Sequence, residues 1–160
     1  MPTPTYDLIA SNVLGSSAAS VTFSSISGSY RDLILVAQGN NDNDNWQLRV
    51  HYNSDTTDGN YSSVNALAIS SGAFSNTAGS YYGIFYTTAN PAGLLIAQIM
   101  DYSATDKHKT ALYRNGTGST RTEMGAVRWA NTAAITTVAI SPLNGNFTSG
   151  SSFHLFGIVS

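Results

Sequence analysis

Four closely spaced aspartates are the residues best placed for chemistry: Asp42 and Asp44 in the run Gly39-Asn-Asn-Asp-Asn-Asp-Asn45, and Asp55 and Asp58 in the turn cluster Asn53 to Asn60. Their carboxylates are hard oxygen ligands at a spacing that calcium uses. Asp and Asn are also the default turn formers, and the first run lacks the glycine and distal glutamate of a helix-loop-helix calcium site. The expectation is therefore two solvated turns and no metal. On that reading, replacing Asp42 and Asp44 together with Asn costs no more than about 0.5 kcal/mol, and a chelator does nothing.

Acid–base and nucleophilic chemistry find less support. The one glutamate, Glu123, stands beside Arg121 in an expected loop, and no spacing selects an aspartate partner of the kind glycoside hydrolysis needs. His51, His108 and His154 lie in separate segments, His51 and His154 at strand positions opposite the apolar residues, where a histidine is ordinarily a surface or interface group. There is no Gly-x-Ser-x-Gly, no Walker loop and no His-Glu-x-x-His. Gly116 and Gly118 begin a dinucleotide fingerprint, but Arg121 occupies the third glycine position, so the segment reads as a flexible turn. No catalytic, cofactor-binding or metal residue is assigned, and a non-enzymatic protein is expected.

Aromatic side chains offer a binding surface instead. Tyr81, Tyr82, Phe85 and Tyr86 fall within six residues, and in a strand Tyr82 and Tyr86 point one way while Tyr81 and Phe85 point the other. These four are the candidate interface residues, favoured as subunit contacts over sugar ligands. The glycosylation patterns at Asn60, Asn115 and Asn146 are what a chain rich in Asn, Ser and Thr produces by accident.

The elements that must position these groups are almost all strands. Only 10% of the 160 residues are charged, against about 25% in typical soluble domains, which leaves little from which to build amphipathic surface helices. Asp32 to Gln38 is apolar on both faces, as in a central strand or a subunit contact. Trp46, Leu48, Val50 and Tyr52 alternate with Gln47, Arg49 and His51, the period-two pattern of a half-buried strand. Val64–Ile69, Tyr81–Tyr86, Leu94–Tyr102, Lys109–Tyr113, Met124–Trp129, Ile135–Ile140 and Phe153–Ile158 continue the series towards about ten strands, with breaks at Asn53–Asn60 and Gly72–Ser80. Pro142 stops the penultimate strand, and Asn144-Gly145 supplies the following turn. The whole reads as one domain over residues 1–160, a single antiparallel β-sandwich of jelly-roll type.

A net charge of −2 removes the basic footprint of nonspecific nucleic-acid binding, and the absence of cysteine excludes disulfides and thiolate chemistry. Neither a signal-peptide core nor a run of about 18 apolar residues is present, so no membrane partner is expected. The surplus of apolar strand residues over what one small sandwich buries points to a homo-oligomer, a trimer, built through strand faces and aromatic contacts.

Both chain ends add a resemblance. Tyr6-Asp-Leu-Ile-Ala10, Ser20-Val-Thr-Phe-Ser-Ser-Ile26 and Tyr30-Arg-Asp-Leu33, with Gly145-Asn-Phe147, Gly150-Ser151 and Phe153-His-Leu-Phe-Gly-Ile158, resemble the ends of a group of small virion proteins of tailed bacteriophages. The segment from Gly39 to Arg121 has no counterpart in it. The resemblance implies a virion location after assembly in the host cytoplasm, and a structural or binding role. A chain that opens on methionine and carries no shaft or coiled coil favours a capsid decoration or cement protein partnered by the major capsid protein. The alternative is a tail-fibre or receptor-binding module recognising host surface glycans.

Overall fold

The computed structural model describes residues 4–43, 47–69, 74–79, 83–86, 93–117 and 121–159. These form twelve strands: β1 (Tyr6–Val13), β2 (Val21–Phe23), β3 (Leu33–Gly39), β4 (Gln47–Tyr52), β5 (Tyr61–Ile69), β6 (Phe74–Gly79), β7 (Gly83–Tyr86), β8 (Gly93–Met100), β9 (Lys109–Thr117), β10 (Arg121–Trp129), β11 (Val138–Pro142) and β12 (Ser152–Ile158). One short 3₁₀ turn, Asp58–Asn60, interrupts the pattern. The protein is an all-β sandwich of two antiparallel sheets.

The first sheet runs β1-β12-β3-β8-β9-β10-β5-β6 and the second β2-β11-β4-β7. Setting aside the hairpins β5–β6 and β9–β10 leaves β1-β12-β3-β8 against β2-β11-β4-β7. That is the interleaved strand order of a jelly roll, in which the chain crosses between sheets from β1 to β2, β3 to β4, β7 to β8 and β11 to β12. The two hairpins pair with each other and extend the first sheet past β8. Strands β5, β9 and β10 also touch β7, so the extension meets the open edge of the smaller sheet.

The core lies where the inward alternation of the two sheets meets. Leu33, Leu35, Ala37, Leu95, Ala97, Ile99, Phe153 and Leu155 face Val21, Phe23, Leu48, Val50, Tyr52, Val138 and Ile140, all buried. Each large side chain contributes about 1.5–3 kcal/mol by leaving water. Strand β12 sits between β1 and β3, so the closing segment Phe153 to Ile158 is an interior strand, as its apolar density predicts.

Three local expectations give way to cross-strand pairing. Gly116 belongs to β9, because Gly116 is opposite Leu94 on one side and Thr122 on the other. Glu123 belongs to β10 and is buried there, paired across to Asn115 and Leu67. The break at Gly72 to Ser80 contains β6, which pairs with β5 from Ser63 to Ala68. In each case, hydrogen bonding to an existing sheet outweighs the weak strand propensity of Gly, Asn and Ser. Pro142 closes β11 instead of standing outside it; β2 ends its pairing at Ile140, so the proline's missing N–H interrupts no ladder on that side.

Candidate interaction surface

Residues opposite one another in antiparallel strands share a face, so the register fixes what the eight-stranded sheet shows to the outside. One outward row reads Leu8, Phe156, Ile34, Gln98, Leu112, Ala126 and Val64 across seven strands. The next reads Ser11, His154, Val36, Ile96, Arg114, Met124 and Ala66. A third carries Val13, Ser152, Gln38 and Leu94, and Tyr6 stands opposite Ile158 at the sheet edge. The large hydrophobics that are exposed among the described residues are Tyr6, Leu8, Val13, Val64, Leu94, Leu112 and Met124. All of them lie on this face.

Two grooves mark it. One of about 550 Å³ is lined by Tyr6, Ile34, Val36, Ile96 and Phe156, and a second of about 530 Å³ by Val64, Ala66, Met124 and Ala126. Leu112, half exposed at 50%, lines both and forms the ridge between them. Among the described residues, the exposed charges on this face are Arg114 and Arg128. Asp32, at the rim, is buried, and its two oxygens accept from Gln98 Nε2 at 2.8 Å and the Asp101 amide at 2.9 Å. Ser11 Oγ lies 2.9 Å from His154 Nδ1, with Val36 as the ring's next neighbour across the ladder; no carboxylate among these ladder neighbours orients the imidazole for nucleophilic chemistry.

Two of the aspartates singled out in sequence, Asp42 and Asp55, serve the fold. Asp42 Oδ1 accepts the Asn146 amide at 2.8 Å, Oδ2 accepts Asn146 Nδ2 at 3.3 Å, and the Asp42 amide donates back to Asn146 O at 3.0 Å. The loop is thus tied to the turn at Gly145, whose φ of 71° is one that glycine adopts freely, and is not merely solvated. Asp44 lies outside the described residues. Asp55 Oδ2 accepts from Trp129 Nε1 and Asn60 Nδ2, both at 2.8 Å, and Oδ1 accepts the Thr57 amide at 3.0 Å. Asp58 is exposed in the 3₁₀ turn. Among the described residues, no three His, Asp or Glu side chains converge as a metal site.

Glu123 is built into the inner face of the extension. Its Oε1 accepts from Asn65 Nδ2 at 2.7 Å and Tyr113 OH at 2.8 Å. Tyr113 lies across Gly125, where a Cβ would strike both its ring and the Val64 carbonyl. Lys109 is also buried; its Nζ donates to the carbonyls of Lys107 at 2.9 Å and Thr132 at 3.1 Å, and burial lowers its pKa. Burial likewise lowers that of His51, helped by neighbouring Arg49, and raises that of Tyr61 to about 12. His108 is exposed and His154 half-buried on the outward face.

Of the four aromatics expected at an interface, Tyr81 and Tyr82 lie outside the described residues, and Phe85 and Tyr86 end β7. No local sequence pattern marks the outward face as a unit. Its signal was present in Asp32 to Gln38, whose second apolar set, Ile34 and Val36, is half-buried at the centre of that face. The remaining members alternate with buried residues in strands whose register only the fold supplies.

No helix among the described residues is long and apolar enough to cross a membrane. Compared with known protein families and with curated proteins, the chain matches no family model and no curated protein.

Proposed function

We propose that this chain is a non-enzymatic structural protein of a tailed-phage virion, a decoration or cement protein that binds the head lattice. One observation carries the reading: every large exposed hydrophobic among the described residues stands on one side of one sheet. An apolar patch of that extent left in water is an aggregation liability, and its ordinary use is assembly with another protein surface. The resemblance at the two chain ends supplies the virion context. Its residues have clear structural work here: Phe147 is buried against Phe153 with ring centroids 4.7 Å apart, Ser151 Oγ contacts the Asn40 backbone, and Gly157 lies under Tyr30.

The test is addition of purified protein to heads of the parent phage made without it. Saturable cosedimentation with heads is expected. Binding confined to tails, or to host cells and their surface glycans, would contradict the proposal and support a receptor-binding module.

A further inference from the structure

We infer that the outward face of the eight-stranded sheet is the contact between two copies of this chain, packed sheet to sheet about a twofold axis. The inference rests on the assembly reading above, names what covers that face, and puts a dimer in place of the trimer expected from the sequence.

Area is the first argument. Taking about 200 Å² as the full surface of a large side chain, the seven exposed hydrophobics leave on the order of 700 Å² of apolar surface in water. A standard stable interface buries about 800 Å² per partner, and the largest patch on a monomer is about 300–600 Å². The face is therefore larger than a monomer ordinarily leaves in water; the twofold contact covers its β3–β6 side, with Val64, Leu94, Leu112 and Met124, and leaves Tyr6, Leu8 and Val13 on β1 outside it.

Shape is the second. A twofold contact must be self-complementary, because the same patch serves both subunits. The Leu112 ridge beside a groove floored by Ala66 and Ala126 meets that condition. With the axis parallel to the strands between β9 and β10, Leu112 of one copy seats on Ala126 of the other. The same operation lays Arg114 over Met124, since Leu112 is opposite Ala126 and Arg114 opposite Met124 in the ladder. Each guanidinium then meets a thioether and not its own copy, which avoids like-charge repulsion at the centre.

Sedimentation velocity across the micromolar range gives the first readout, with a dimer expected. Ala126→Glu, on an outward position, should weaken dimerisation by at least about a hundredfold by burying a charge without a partner, while the thermal melt of the subunit stays cooperative. The chain has no cysteine, so Leu112→Cys and Ala126→Cys, prepared separately and mixed, should be joined as a hetero-pair by a bis-maleimide spanning about 10 Å, the separation of packed sheets. A monomer at all concentrations, a trimer, a dimer unaffected by Ala126→Glu, or no hetero-pair on mixing would each overturn the inference. A monomeric parent whose head binding is lost in Ala126→Glu would give this face to the lattice, leaving the function standing and the inference fallen. A dimer that fails to bind heads would do the reverse.

Discussion

Trp129 Nε1 donates to Asp55 Oδ2 at 2.8 Å, fastening the last residue of β10 to the turn that follows β4. Around this bond Tyr52 packs on Trp129 with ring centroids 5.7 Å apart, and Tyr61 OH donates to the Asp55 carbonyl at 2.9 Å. The extension that carries half of the outward face is therefore tied to the turn after β4 at Asp55, through both its carboxylate and its carbonyl. Asp55→Ala strands three donors and should cost about 2–3 kcal/mol in urea unfolding, whereas Asp58→Ala should stay within about 0.5 kcal/mol. Equal costs at the two positions would show that the anchor is not Asp55.

Acid should weaken the fold in two windows. Burial lowers the His51 pKa, so the unfolded chain takes up its proton first; stability is lost as pH falls through about 6.5 and on down to the folded value. Asp55 differs: partial burial opposes its ionisation, but hydrogen bonds from Trp129, Thr57 and Asn60 outweigh that and lower its pKa. Its contribution is whole above the unfolded value of about 3.9 and is lost as pH falls through the lower, folded one. Melting temperatures should fall in both windows for the parent. His51→Gln should lose only the first step, and Asp55→Asn only the second.

The Asp42–Asn146 tie predicts a larger stability cost than a solvated loop would. Asp42→Ala should cost about 1 kcal/mol, through the lost acceptors for Asn146, and chelator should leave the melt of parent and variant unchanged. A chelator-induced drop in the parent alone would restore calcium to this loop.

Gly157 has no room for a side chain. A Cβ there would overlap the ring of Tyr30, whose amide donates to Tyr102 OH at 3.3 Å and so holds the residue in place. Gly157→Ala should cost about 1–3 kcal/mol by overpacking, read as a lower urea midpoint at constant slope. Adding Tyr30→Ala should recover part of that loss if the clash is its cause.

Strand existence and the sandwich class were legible because alternation at Leu48, Val50 and Tyr52, and at Phe153 and Leu155, survives into burial unchanged. Glu123, Gly116 and β6 are not legible as strand because their residue types favour loops, and only a neighbouring strand supplies the hydrogen bonds that hold them straight. The interaction surface was less legible still. Leu112 and Met124 are unremarkable in sequence; they become neighbours of Ile34 and Phe156 only through pairings between β12, β3, β8, β9 and β10, which no local pattern specifies.

Copy number per purified particle, measured by quantitative mass spectrometry against the major capsid protein, tests the central claim most directly. A decoration protein repeats with the head lattice, so the expected result is on the order of hundreds of copies in fixed ratio to the capsid subunit. A few dozen copies or fewer, co-purifying with tails, would contradict it.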